Sequence, residues 1–117
     1  MSRTIDELVR EALSHLEAVH RHLARGSVED ETVAYAVSLR IAAMIETLHR
    51  GAPDLTDGFF GDEWAVIWGM RNRIAHGYAW VDIETVRATV EEDLPGVEAK
   101  LRALSGMSAD AEADPEV

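Results

Sequence analysis

The 117-residue sequence is long enough for one folded domain and too short for two that each bury a separate core. Apolar residues make up 47% and charged residues 28%, which excludes a chain disordered throughout, and the lack of cysteine excludes disulfides, thiolate metal sites and cysteine nucleophiles. The net charge of −11 argues against broad, sequence-independent binding to nucleic acid, although a small enzyme can still engage RNA at a local basic site.

The start of the sequence shows no export signal, because it turns acidic at Asp6 and Glu7. No apolar run approaches the roughly 20 residues that a membrane-spanning helix needs. We therefore expect a cytoplasmic protein that has no membrane partner.

The N-terminal region predicts a long amphipathic helix. Thr4 and Glu7 have the spacing of a capping box, in which the hydroxyl and the carboxylate each accept a hydrogen bond from a free backbone amide. Gly26 is expected to end this helix in the left-handed conformation. The apolar residues of one face recur at three- and four-residue spacing: Ile5, Leu8, Val9, Ala12, Leu13, Leu16, Val19 and Leu23.

A second amphipathic helix follows a short turn. Residues 27–30, Ser-Val-Glu-Asp, carry a similar cap, and Gly51 with Pro53 predicts the end of the helix. Because the connection is short, the two helices should pack antiparallel. The apolar stripe of the second helix comprises Val33, Val37, Ile41, Met44, Ile45 and Leu48.

Residues 51–61 contain proline, glycine and several acids and predict a loop, from which Leu55, Phe59 and Phe60 pack against the bundle. A third helix should follow, with Asp62 as a candidate cap and Gly77 as a weak point near its end. Its helically spaced residues are Trp64, Ile67, Trp68, Arg71, Ile74, Ala75 and Tyr78.

The C-terminal part predicts one or two further helices. Asp82 is a candidate cap, and Pro95 either kinks the helix or begins a fifth one with Asp93 as its cap. We expect the last helix to end at Gly106. The apolar residues of this part are Ile83, Val86, Val90, Val97, Leu101 and Leu104.

The pattern as a whole predicts an all-α fold, an up-and-down antiparallel bundle of four to five helices over residues 1–106. No alternating strand pattern, glycine-rich phosphate loop or internal repeat is visible. Residues 107–117 are acidic and predict a disordered tail.

Four of the five histidines, His15, His20, His22 and His49, lie on or near the first two helices. His15 and His22 would share a helix face, but metal sites usually recruit residues three or four apart, and no acid completes a ligand set. We interpret these residues as surface histidines and expect no metal and no cofactor.

The fifth histidine, His76, lies among Arg71, Asn72, Arg73 and Tyr78. Histidine can remove the proton of a ribose 2′-hydroxyl, and arginine can stabilise the charge that builds on the attacked phosphate. Asn72 would orient the imidazole or the phosphate, and Arg73 would bind substrate. This chemistry needs a 2′-hydroxyl, so the expected substrate is RNA and not DNA; tRNA and mRNA are both candidates.

Regular helix geometry does not gather these groups. Asn72 and His76 share a face, but Arg71 lies roughly 140° around the axis from His76. Convergence would need the reach of the arginine, unwinding near Gly77, or a second copy of the motif across a dimer. A solvated polar face remains an alternative interpretation of these residues. Two interpretations also remain open for Trp64, Trp68 and Trp80. They stack on RNA bases, or they pack in the core or at an interface.

The spacing of Arg71, His76 and Tyr78 resembles the motif of the HepT family of HEPN-domain toxins. That motif is an arginine, any four residues, a histidine, any one residue and a tyrosine. Residues 64–72, which begin with a tryptophan, resemble the family's sequence leading into the motif. Val81-Asp82 and Asp93-Leu94-Pro95 resemble the family's sequence after the motif. The resemblance runs from about Ile5 to Leu104. Glu46 stands where many relatives carry the acid of a Gly-Glu pair, whereas the glycine is absent. Ala79 stands where relatives often have phenylalanine.

The resemblance implies a HEPN-like homodimer that places two motifs around a shared cleft. It also implies a metal-independent endoribonuclease with Arg71 and His76 as the catalytic pair and Asn72 as a polar assistant. In such type II-like or AMPylation-controlled toxin–antitoxin systems, a nucleotidyltransferase similar to the MNT family neutralises the toxin by transferring AMP to the motif tyrosine. The acceptor here would be Tyr78.

Two other functions fit the sequence. Some HEPN proteins are non-catalytic modules that bind a nucleotide or a nucleotidyltransferase partner, and a plain helical interaction protein would use neither Arg71 nor His76. RNA cleavage that depends on His76 distinguishes the ribonuclease from both.

Overall fold

The structure, a computed structural model, describes residues 4–75 and 82–112. No strand occurs in these residues, so the predicted all-α class is confirmed. The helices are α1 (Ile5–Arg25), α2 (Glu31–His49), α3 (Ala52–Leu55), α4 (Glu63–Ala75), α5 (Ile83–Ala88) and α6 (Leu94–Glu112), with π-helical segments at Thr56–Phe60 and Thr89–Asp93.

Helix α1 begins as predicted and ends differently. The Glu7 amide donates to Thr4 Oγ1 at 3.1 Å, which satisfies one free N–H of the first turn. The prediction that Gly26 ends the helix in the left-handed conformation is wrong, because this residue has an extended φ of −172°. A Cβ on Gly26 would lie 3.0 Å from Val33 Cγ2, so the glycine permits a close approach between the turn and α2.

Helix α2 is capped by Asp30 and not, as predicted, by Ser27: the Asp30 carboxylate accepts from the Thr32 amide at 2.8 Å, and Ser27 Oγ accepts from the Glu29 amide in the preceding turn. Pairs such as His15 with Arg40 and Glu11 with Arg50 show that α1 and α2 run antiparallel, as predicted. Their facing apolar residues are fully buried and form the centre of the core, where α4 and the C-terminal helices complete the packing. These central residues are Val9, Leu16, Val19, Val37, Ile41, Met44, Ile45 and Leu48.

The segment predicted as a loop is helical instead, with α3 followed by the π-helical Thr56–Phe60. Leu55 and Phe60 are buried, as predicted, so they hold the segment against the core and favour a compact backbone over an irregular one. Gly61 ends the segment with a φ of 56°, a conformation that glycine adopts at little cost.

The C-terminal helices form one continuous helical stretch from Asp82, whose carboxylate accepts from the amide of Glu84 at 3.1 Å. Asp93 lies inside the π segment and is not a cap. The wider π turn lets the chain continue into Pro95, which has no N–H to donate and would crowd a regular α turn. Helix α6 continues past the expected end at Gly106 to Glu112.

No helix of the described residues is both long enough and apolar enough to cross a membrane.

Candidate functional site

The described part of the site lies where α4 meets α2. Ile67 and Met70 are buried and dock α4 on the core, and this sets the rotation of the helix. Arg71 follows Met70 and therefore lies at the edge of the buried face, with its side chain 29% exposed. Opposite it, near the end of α2, is the carboxylate of Glu46.

Each nitrogen of the Arg71 guanidinium donates a hydrogen bond. The Nε and Nη2 atoms donate to Glu46 Oε1 at 3.0 and 2.7 Å. The third, Nη1, donates to Asn72 Oδ1 at 3.3 Å. Charge-assisted bonds of this kind fix the orientation of the planar group, and its partial exposure leaves it reachable by an anion. A phosphate that binds Nε and Nη2 would have to compete with Glu46 for these donors.

Aromatic rings extend the site along the seam between the two helices. The guanidinium carbon of Arg71 lies 5.1 Å from the ring centroid of Trp68, within the range of a cation–π contact. Trp68 in turn stacks on His49, the last residue of α2, with a centroid separation of 4.5 Å. Trp64 lies 6.1 Å from both rings. The arginine is therefore held by a carboxylate, an amide and an indole.

The structure brings together only some of the residues predicted for the site. Arg71 and Asn72 are adjacent and hydrogen-bonded. Arg73 is exposed, and a Cβ at Gly69 would lie 3.4 Å from its Nη1, so its guanidinium lies back along α4. His76 and Tyr78 lie outside the described residues, as do Gly77 and Trp80.

The sequence pattern assigns no role to two residues of this region. It marks Glu46 only as the counterpart of a family acid and indicates a surface histidine at position 49. His49 is exposed, but its ring stacks on Trp68. Spacing along one helix could not reveal either contact, because both join α2 to α4.

Outside this region, His15 takes part in a contact between α1 and α2. Burial and the nearby Arg40 guanidinium lower the pKa of His15 from its usual value. An Arg40 Nη1 donates to His15 Nδ1 at 3.0 Å, so this nitrogen acts as an acceptor. Within residues 4–75 and 82–112, no group of three histidine, aspartate or glutamate residues is arranged to hold a metal ion.

The fold and the site define an all-α bundle with an arginine held at a helix seam, preceded by aromatic residues on the same helix. The family model described as Ribonuclease HepT-like matches residues 9–104, and the chain belongs to this family. No curated protein and no solved structure gives a significant match.

Proposed function

We propose that this protein is a metal-independent endoribonuclease toxin. Two findings support the proposal: membership of the Ribonuclease HepT-like family and the orientation of Arg71 by Glu46 and Asn72 at an accessible surface. The observation that carries most weight is the geometry of Arg71, because a planar guanidinium held in one orientation is suited to bind phosphate oxygens.

In the proposed reaction, His76 removes the proton of the ribose 2′-hydroxyl, and the oxygen attacks the adjacent phosphorus. The bond from phosphorus to the 5′-oxygen breaks as the new bond forms, and the leaving oxygen takes up a proton. The products are a 2′,3′-cyclic phosphate and a 5′-hydroxyl. Arg71 stabilises the negative charge on the phosphate in the transition state, and Asn72 assists its placement. The part of His76 in this scheme rests on the sequence motif.

A homodimer is part of the proposal. Tyr35 and Leu39 are exposed on α2, Leu39 to 71% of its surface. Helical spacing places them on one stripe with Ala42 and Glu46, so an uncovered apolar surface leads directly to the Arg71 site. A second copy packed on this stripe would bury it and bring a second motif towards the first.

We further propose that a nucleotidyltransferase similar to the MNT family controls the toxin by transferring AMP to Tyr78. The reason is physical: AMP adds bulk and negative charge two residues from His76, where an RNA phosphate must bind. After coexpression with such an enzyme, the intact mass should rise by whole AMP units. Tyr78→Phe should remove the rise, and an unchanged mass of the wild-type protein would refute this control mechanism.

Cleavage of RNA in the presence of EDTA tests the ribonuclease itself. The wild-type protein should produce cyclic phosphate ends, and His76→Ala and Arg71→Ala should each abolish them while the far-UV circular dichroism stays that of a helical bundle. Wild-type protein should also arrest growth when its expression is induced, whereas His76→Ala should not. Cleavage that survives His76→Ala would overturn the assignment.

One observation favours a second candidate, a non-catalytic module that binds a nucleotide or a nucleotidyltransferase partner. Glu46 already engages two Arg71 nitrogens, as it would in a bundle that uses this ion pair only for structure. Absence of cleavage together with harmless expression would support this alternative.

A further inference from the structure

We propose that His49, Trp68 and Trp64, here called the aromatic platform, stack one unpaired RNA base beside the phosphate that Arg71 binds. This inference rests on the proposed ribonuclease function and adds a base-binding site to it.

The geometry of the platform suits a planar ligand. His49 and Trp64 are nearly parallel, with an interplanar angle of 7° and a centroid separation of 6.1 Å. His49 and Trp68 are 4.5 Å apart with an angle of 30°. Both indoles are half-buried and pack against the core, whereas His49 is exposed. The platform is therefore a ring at the surface supported by two rings that the core holds in place.

The platform is directly connected to the proposed catalytic arginine. Trp68 contacts both His49 and the Arg71 guanidinium, whose Cζ lies 5.1 Å from the indole centroid. A phosphate bound to Arg71 therefore lies one side chain away from the platform. A base attached through its own sugar to that phosphate, or to the next one, can reach the platform without a further contact from the protein.

The opposite end of the aromatic row is already occupied. Phe60 lies 5.8 Å from Trp64, and the ammonium of Lys100 lies 5.9 Å from the Phe60 ring. Glu63 holds Lys100 there through an ion pair of 2.8 Å. The accessible end of the row is thus the His49 end, the one next to Arg71.

Electrostatics favour a base over a phosphate at this position. Helix α2 ends at His49, and the carbonyl end of a helix carries a partial negative charge that repels phosphate. The protein also has a net charge of −11, so long-range attraction to phosphates cannot be its main route to affinity for RNA. Stacking of a neutral base avoids both penalties, because it depends little on net charge.

The test measures binding separately from cleavage. The probe is an unstructured, fluorescently labelled 2′-O-methyl oligoribonucleotide, which lacks the attacking hydroxyl and cannot be cut. His49→Ala should weaken its binding by roughly 5- to 150-fold, the usual cost of losing one stacked base. His49→Phe should restore affinity, because it keeps a flat ring. His22→Ala is the matched control, because His22 lies near the far end of α1 and should bind as wild type.

The salt dependence of binding separates stacking from charge. Arg71→Ala should reduce the slope of log affinity against log salt by about one, whereas His49→Ala should leave this slope unchanged. Unchanged affinity in His49→Ala, or failure of His49→Phe to restore it, would overturn the platform. If the wild-type protein cuts RNA but His49→Ala binds normally, the platform alone fails. If it binds the probe through His49 but cuts no RNA, the ribonuclease alone fails.

Discussion

The ion pair between Glu46 and Arg71 gives the sharpest test of the site, through Glu46→Gln and Glu46→Ala. Gln keeps an oxygen that can accept from Arg71 Nε and Nη2 but removes the negative charge that competes with phosphate. Ala removes both the charge and the acceptor. If Glu46 orients Arg71, kcat for RNA cleavage should be nearly retained by Gln and should fall by roughly 100-fold with Ala, the usual cost of a catalytic group displaced by about 1 Å.

The two variants should also separate in KM. Because the carboxylate binds the donors that a phosphate needs, its neutralisation in Glu46→Gln should lower KM. The pair contributes little to folding, since the side chains of Arg71 and Glu46 are 29% and 48% exposed. Exposed pairs typically contribute at most about 1 kcal/mol, which corresponds to a fall in Tm of less than about 8 °C. An effect on kcat without unfolding is therefore expected.

The assay is steady-state cleavage of a fluorogenic RNA, with thermal unfolding of each variant measured in parallel. Glu17, an exposed glutamate on α1, supplies the matched control, and Glu17→Gln and Glu17→Ala should behave as wild type. Identical kcat values for wild type, Glu46→Gln and Glu46→Ala would refute the idea that this carboxylate positions Arg71.

Two further predictions concern assembly and stability. Leu39→Glu should shift the protein from dimer to monomer in size-exclusion chromatography with light scattering and lower its specific activity, because a charge in an apolar interface is costly. Since the pKa of His15 is lowered by burial and by Arg40, the unfolded chain binds this proton more readily than the folded one, so stability should fall as pH drops through about 6.5. His15→Gln, which keeps an acceptor for Arg40, should flatten that dependence in chemical denaturation.

A specific result would contradict each of these two predictions. A Leu39→Glu protein that stays dimeric would show that the α2 stripe is not the interface, with Glu17→Ala as the surface control. An equal loss of stability on acidification in wild type and His15→Gln would show that another group titrates. Glu98 is distinguishable, because burial raises its pKa but hydrogen bonds from His20 and Arg102 outweigh this and lower it. Its contribution is therefore lost as the pH falls from the ordinary pKa of a glutamate, 4.5, towards the lowered one, which is well below the range of His15.

The parts of the fold that the sequence predicted depend on local chemistry. The caps at Thr4 and Asp82 are satisfied by amides within the next three residues, so a short stretch of sequence contains the whole interaction. The parts it missed depend on distant neighbours. Gly26 is extended and lies close to Val33 of the next helix, and the helical segment after Gly51 buries Leu55 and Phe60 in the core.

The same distinction applies to the site. The motif predicted Arg71 and Asn72, which are neighbours in sequence and contact each other. Glu46 and His49 come from α2, and their contacts depend on how α2 and α4 pack. A pattern of spacings within one helix contains no information on which residue of another helix will face it.

The contact with Glu46 holds the Arg71 side chain towards α2. The side chain therefore does not extend along α4 towards the C-terminal end of that helix. This makes it harder for Arg71 and His76 of one chain to reach the same phosphate, because regular helix geometry already separates them by roughly 140° around the axis. A dimer resolves it if Arg71 of one protomer works with His76 of its partner. Mixed Arg71→Ala and His76→Ala protomers would then form heterodimers with one intact site.

Random exchange of the two inactive variants should restore about one quarter of wild-type activity, because half of the dimers are mixed and each has one of two sites intact. The experiment unfolds neither variant but mixes them under conditions of subunit exchange, with each variant alone as the control. If both residues of a site come from the same chain, the mixture stays inactive, since every site then lacks one residue. Complementation therefore tests the shared site directly, and an inactive mixture of exchanging dimers would refute it.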